Sequence, residues 1–245
     1  MSKKYKTVVT GGNGRFGKEL RKNSNQNYLF PSKKKLNILN LTSIENYLKK
    51  HKPKYLIHLA GFSRPMIEHE YNISKSIQLN IIGTSNIVIA CKKFNIKLIY
   101  FSTSYIYPGK KGNYKETDPI LPCNNYAWSK IGGESAVQMY KNSLILRVCM
   151  TEKPFVHKSA YANVKSNFIF QEDAAKMIFK IIIVLLAAAM LISLFSSAFF
   201  LVKDKGNTER AQNTLRIRVT IAVLIMITVA IGIYTGQLGV NIPFG

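Results

Sequence analysis

The sequence predicts an α/β domain built on a doubly wound parallel sheet, followed by a two-helix hairpin of transmembrane character. Three observations predict it. Short, near-continuous apolar strands alternate with helical segments through residues 1–176, the pattern of a parallel sheet covered on both faces. A glycine-rich turn, TGGNGRFG at 10–17, follows the first strand and opens a helix. Two long charge-free runs then close the chain.

Residues 5–10 (YKTVVT) form a β-branched strand running into the glycines, and 16–22 a helix. A weak second strand lies near Tyr28–Phe30. Residues 42–51 open with Thr42 and Glu45 in capping-box spacing and predict a helix. A buried strand at 54–60 (KYLIHLA) precedes a long helix at 73–94, a second buried strand at 97–102 (KLIYFS), a helix at 125–141 and a strand at 143–148 (SLILRV).

The composition divides at the same place as the pattern. Of the net +23, residues 1–176 carry +19 and residues 177–245 carry +4. The lysines of the first part are spread over every surface segment and form no stripe interleaved with aromatics, so nucleic acid is not an expected partner. Cys91, Cys123 and Cys149 have no metal-ligand spacing and no even count, which fits a reducing compartment, and no metal is expected. The start, MSKKYKTVVTGG, lacks an apolar stretch of signal-peptide length, so the first domain is expected to stay in the cytoplasm. Residues 181–202 and about 219–238 are the expected spans, since 22 charge-free residues cross a bilayer core of ~30 Å. The chain is therefore expected at the membrane, with the bilayer as a partner through the hairpin. Its intervening loop, 203–218, carries Lys203, Lys205, Arg210, Arg216 and Arg218. Such a short basic loop prefers the cytoplasmic side. A cytoplasmic first domain would force it outside, so the two parts read as a chance joining rather than a co-evolved design.

Gly11, Gly14 and Gly17 stand in G-x-x-G-x-x-G spacing between strand and helix. Glycine lets the backbone approach a pyrophosphate, and the helix start offers free N–H groups and a positive dipole end. In NAD-selective sites an acidic residue after the second strand holds the ribose 2′-hydroxyl. Here that neighbourhood holds Ser32, Lys33, Lys34 and Lys35, and Arg15 sits inside the turn. Cations suit a 2′-phosphate, so the expected cofactor is NADP or NAD, with NADP favoured.

Three Y-x-x-x-K matches occur, at Tyr71–Lys75, Tyr107–Lys111 and Tyr126–Lys130. Tyr107 precedes Pro108 and Gly109 in a loop, and Tyr71 follows no strand that ends in a hydroxyl. Tyr126 begins a helix 23 residues after Thr103, which ends the strand KLIYFS. The i, i+4 spacing puts Tyr126 and Lys130 on one helix face. Reduction of a carbonyl needs a proton donor to the developing alkoxide, and a nearby ammonium lowers a phenol's pKa from ~10 towards usefulness.

TGGNGRFG, HLAG at 58–61, LNIIGTSNI at 79–87, YFSTSYIYPG at 100–109, NNYAWSKIGGE at 124–134 and LILRV at 144–148 resemble, in order, the extended short-chain dehydrogenase/reductases. These are Rossmann-type enzymes of the NAD-dependent epimerase/dehydratase kind. YFSTSYIYPG with NYAWSK looks most like their dTDP-4-dehydrorhamnose reductase branch. The resemblance implies Thr103 as the hydroxyl that polarises the carbonyl, Tyr126 as acid/base, and Lys130 as its partner and ribose binder. It implies cofactor contacts at Thr10, Gly11, Gly14, Arg15, Phe16, Gly17, Ala60 and Gly61, and a supporting Asn80. Asn37 stands where the family often has an Asp beside the adenine. A nucleotide-linked sugar is the implied substrate, and a homodimer is an implied assembly.

Residues 166–183 still resemble the family's late strand and helix, but the part that grips the sugar does not follow. The α/β domain is in this sense truncated. From Met177 onward the chain resembles instead a small twin-transmembrane protein of unknown function, the DUF2909 family. Three readings stand. The chain is a membrane-tethered NAD(P)-dependent reductase or epimerase of nucleotide sugars; or a dinucleotide-binding remnant without turnover; or a membrane protein carrying a fusion remnant.

Overall fold

The structure, a computed structural model, describes residues 6–24, 27–154, 165 and 168–177. The chain divides into two units, Met1–Ala174 and Ala175–Gly245. The predicted spans 181–202 and 219–238, and the loop between them, lie outside the described residues. Among the described residues no helix is long and apolar enough to cross a membrane.

In the first unit, β1 (Thr7–Thr10) is buried along its whole length. It feeds the glycine turn and then α1 (Arg15–Lys22), which buries Phe16, Gly17 and Leu20. Arg21 and Lys22 in its last turn complement the helix dipole. After the short β2 (Tyr28–Leu29) comes α2 (Leu41–His51). Its start differs from the expected capping box. Asn40 is the N-cap, its side chain accepting from the Ser43 amide at 2.8 Å. Glu45 pairs instead with Lys93 at 2.6 Å. With its extended backbone, Asn40 supplies the acceptor one turn before Glu45, which leaves Glu45 free to reach across to the neighbouring helix.

β3 (Tyr55–His58) leads through α3 (Glu68–Tyr71) and α4 (Ile73–Ser76) into a wide π turn, Ile77–Ile82, and then α5 (Gly83–Lys93). The single helix expected over 73–94 is thus interrupted by a segment of different pitch. β4 (Lys97–Thr103) ends in a 3₁₀ turn, Ser104–Ile106, and α6 (Asn125–Gln138) is capped by Asn124, which accepts from Ala127 N at 2.8 Å. β5 (Ser143–Val148) completes the sheet.

All five strands are parallel, in the order β2-β1-β3-β4-β5. The chain runs outwards from β1 to one edge, then back across it to the other, as a doubly wound sheet does. Val8, Leu56 and Leu98 from adjacent strands meet Ile44, Leu48, Ile87 and Cys91 from the covering helices in one core. Each such fully buried aliphatic side chain contributes about 1.5–3 kcal/mol. Beyond β5, β6 (Met150–Thr151) pairs in parallel with β7 (Ile169–Phe170), and residues 171–177 are helical. The parallel pairing puts the C-terminal ends of β1, β3 and β4 side by side, with Thr10, His58 and Thr103 at their tips.

Candidate functional site

The glycine turn is shaped by backbone contact. Gly11 adopts φ +72°, and a Cβ there would lie 2.6 Å from the Ala60 nitrogen. A Cβ on Gly17 would lie 2.5 Å from the Gly11 carbonyl oxygen. The turn closes through Gly14 N donating to Gly11 O at 2.9 Å. Gly14 then caps α1 with no side-chain acceptor, and the first turn of that helix holds no acid. Its free amides are left for an anion. A cavity of about 260 Å³ opens beside the turn, with Leu36, Ile38 and Leu79 as apolar walls and Lys33 and Asn37 at its polar side. Thr10, Gly11, Gly14, Ala60 and Gly61 also line it. Of the three predicted lysines, Lys33 alone lines this cavity. Backbone cradle, open helix start and half-apolar cavity together fit the adenosine and pyrophosphate parts of a dinucleotide.

Other predicted cofactor residues hold the cradle in place. Thr10 Oγ1 accepts from Ala60 N at 3.3 Å and is hydrogen-bonded to His58 Nδ1 at 2.7 Å. His58 Nε2 is hydrogen-bonded to Thr84 Oγ1 at 3.2 Å. Burial, aided by the Lys130 charge, pushes the His58 imidazole down to about 3, so it is neutral at ordinary pH. Phe16 packs on Phe101 of β4 with ring centroids 5.2 Å apart. Asn80, buried in the π turn, spends its side chain on protein partners. It accepts from Phe62 N at 2.7 Å and donates to Phe62 O and Ser129 Oγ, each at 2.8 Å. It therefore pins the loop after β3, which carries Ala60 and Gly61, to α6.

Thr103 and Tyr126 come together as the sequence predicts. Thr103 ends β4 nearly fully buried; its hydroxyl accepts from Tyr105 N at 3.3 Å, and it stands close enough to the Tyr126 phenol to act against the burial that raises its pKa. Lys130 lies one turn along α6, but its ammonium sits 4.2 Å above the Tyr100 ring. The predicted lowering of the Tyr126 pKa is not found. Burial pushes the phenol up to about 12, against smaller opposing effects of Thr103 and Arg64. The physical reason is desolvation: Lys130 is itself pulled down to about 7 by burial, only partly offset by Glu134. Tyr71 is 83% exposed, and the Tyr107 hydroxyl accepts from Arg147 at 2.6 Å and donates to Lys115 O at 3.0 Å.

Several neighbours gave no local signal in the sequence. Glu70 accepts from the amide and side chain of Asn125 at 3.1 and 2.6 Å, locking α3 to the start of α6 beside Tyr126. The His69 ring is packed between Phe62 and Tyr126, at 4.2 and 5.1 Å between centroids. Glu134 accepts twice from Arg147, tying α6 to β5. Arg15, expected to face the cofactor, pairs with Glu152 at 3.1 Å instead.

A doubly wound parallel sheet, a glycine cradle at its first strand and a Thr-Tyr pair at the end of the fourth define a Rossmann-type domain. Residues 5–168 match the family described as RmlD substrate binding domain, and the chain belongs to that family. Residues 179–238 match a second family, described as a protein of unknown function, DUF2909. The dTDP-4-dehydrorhamnose reductase of Aggregatibacter actinomycetemcomitans is 29% identical over 150 residues, 59% of this chain and 51% of that protein. The GDP-L-colitose synthase of Yersinia pseudotuberculosis is 34% identical over 120 residues, 47% of this chain and 39% of that protein. The crystal structure of the Bacillus anthracis dTDP-4-dehydrorhamnose reductase in complex with NADP superposes with a TM-score of 0.58 at 28% identity, covering 61% of this chain and 55% of that one. The chain thus spans about half the length of the relatives it matches.

Proposed function

We propose that residues 1–176 form an NAD(P)-dependent oxidoreductase or epimerase domain acting on a nucleotide-linked sugar, most like dTDP-4-dehydrorhamnose reductase. The observation that carries this reading is the meeting of Thr103 and Tyr126 at the C-terminal edge of the sheet that also bears the glycine cradle. Gly11, Gly14, Ala60 and Gly61 would hold the pyrophosphate and ribose, with Lys33 at hand for a 2′-phosphate. When bound, the reduced nicotinamide supplies the hydride. Thr103 then hydrogen-bonds the sugar carbonyl, and Tyr126 gives its proton to the oxygen as negative charge develops there. A phenol held near 12 is protonated at neutral pH, the right starting state for a proton donor. Lys130, at about 7, can carry or release a proton behind it.

The half-length match favours a second reading, a nucleotide-binding module without turnover. The bilayer as partner, through the hairpin at 181–202 and 219–238, and a membrane location with the first domain in the cytoplasm belong to the same proposal. They rest on the charge-free runs of the sequence. The deciding experiment follows NADPH oxidation by the purified full chain with a panel of 4-keto sugar nucleotides, for wild type and Tyr126→Phe. Turnover that falls by about 10²–10⁴-fold in the variant, with NADPH affinity retained, is expected. Equal turnover in the two proteins removes Tyr126 from the mechanism. NADPH binding without turnover in wild type selects the module.

A further inference from the structure

Glu152 follows β6 directly and is placed by the small second sheet, whose pairing is reinforced by Ile169 N donating to Cys149 O at 2.9 Å. One carboxylate oxygen, Oε1, accepts from Arg15 at 3.1 Å. The other, Oε2, is buried with no hydrogen-bond donor among the described residues, and has Arg64 at 4.0 Å. Arg15 is the first residue of α1, so its guanidinium belongs to the helix whose free amides face the glycine cradle. Arg64 lies on the loop after β3 and is close enough to Tyr126 to act on its phenol. One carboxylate therefore gathers two cations, one from the start of α1 and one from the loop after β3 beside Tyr126.

We propose that Glu152 is an ionic latch: in the free protein it occupies Arg15 and Arg64, and arriving phosphate groups displace it from Arg15. The inference rests on the dinucleotide reading above. The chemistry of the exchange favours it. A guanidinium pairs with phosphate as readily as with carboxylate, often in bidentate fashion. A buried oxygen without a donor is a poorly satisfied acceptor, so Glu152 is not a fully settled partner. The latch also prevents two guanidiniums and an open helix start from standing together uncompensated, where any stray anion would bind. Because the latch must open, part of the gross binding energy of the dinucleotide is spent on it, and the apparent affinity is correspondingly lower.

The test measures NADPH binding to the full-length protein by calorimetry, for wild type, Glu152→Gln, Arg15→Gln and the double variant. The amide keeps the shape of the side chain and removes its charge, and thermal melting of each protein checks that the fold survives. Glu152→Gln is expected to bind NADPH about two- to fivefold more tightly, the scale of one partly exposed ion pair. Arg15→Gln should bind more weakly than wild type, and adding Glu152→Gln to it should restore little, since the cation to be freed is gone. NADPH binding in wild type that is unchanged or weakened by Glu152→Gln overturns the latch and leaves the dinucleotide reading intact. Absence of NADPH binding in wild type and Glu152→Gln alike, with both proteins folded, overturns both.

Discussion

The glycine cradle and the Thr103–Tyr126 corner lie along the same edge of one sheet, yet they are held by different forces. The cradle is a backbone object. Its shape is set by a left-handed Gly11 and by main-chain atoms of Ala60 and Gly12 standing where side chains would otherwise be. The corner is a side-chain object, in which Thr103, Tyr126 and Lys130 are positioned by burial, ring contacts and hydrogen bonds contributed from β4, α3 and α6. A backbone site fails abruptly when one atom is added. A side-chain site degrades in steps.

Three changes break or sharpen that contrast. The largest effect is expected for Gly11→Val. Its Cβ would meet Ala60 N at 2.6 Å in a left-handed conformation that a β-branched residue resists, a combined cost on the order of 3 kcal/mol or more. Nucleotide binding, followed by calorimetry, should vanish. Retained affinity in a folded Gly11→Val protein would remove the cradle from the site. Asn80→Ala should come next. It strands the Phe62 amide and carbonyl, costing about 1–3 kcal/mol, and loosens the loop of Ala60 and Gly61. Chemical denaturation should show the loss together with weaker NADPH binding. A variant with normal stability would show that the loop is held elsewhere.

The third change is a pH dependence at Lys130. Its folded pKa, about 7, lies below the ordinary lysine value of 10.5. Between those values the unfolded chain binds the extra proton, so this group makes stability rise with pH from about 7 towards 10.5. Below about 7 both states are charged and the full cost of the buried ammonium is felt. Lys130→Met should therefore raise the melting temperature at pH 6, and by progressively less towards pH 10. A constant difference across that range would mean that Lys130 is not desolvated.

The succession of strands and helices and the position of the cradle are legible in the sequence because they depend on local pattern. TVVTGGNGRFG carries its strand, turn and helix start within eleven residues. Tyr126 can be picked from three matches because it begins a helix 23 residues after Thr103, which ends a buried strand. What escaped depends on residues far apart in the chain. Arg15 and Glu152 are separated by 137 positions, and nothing near Arg15 signals that an acid awaits it. The direction of the Tyr126 shift escaped for another reason: i, i+4 spacing puts Lys130 on the right helix face but does not say that Tyr100 will draw its ammonium aside. The cap of α2 lies two residues before the expected Thr42, at Asn40, whose extended backbone lets its side chain accept from the Ser43 amide.

The π turn at Ile77–Ile82 is a phase shifter. A helix of constant pitch presents one stripe, and residues before and after any point keep a fixed angular relation. Widening a single turn resets that relation, as a dislocation resets the rows of a crystal. Asn80 can then look towards the Phe62 loop and α6, while Ile87 and Cys91, farther along the same rod, look into the sheet. The segment serves two masters whose demands no single period of 3.6 residues could meet.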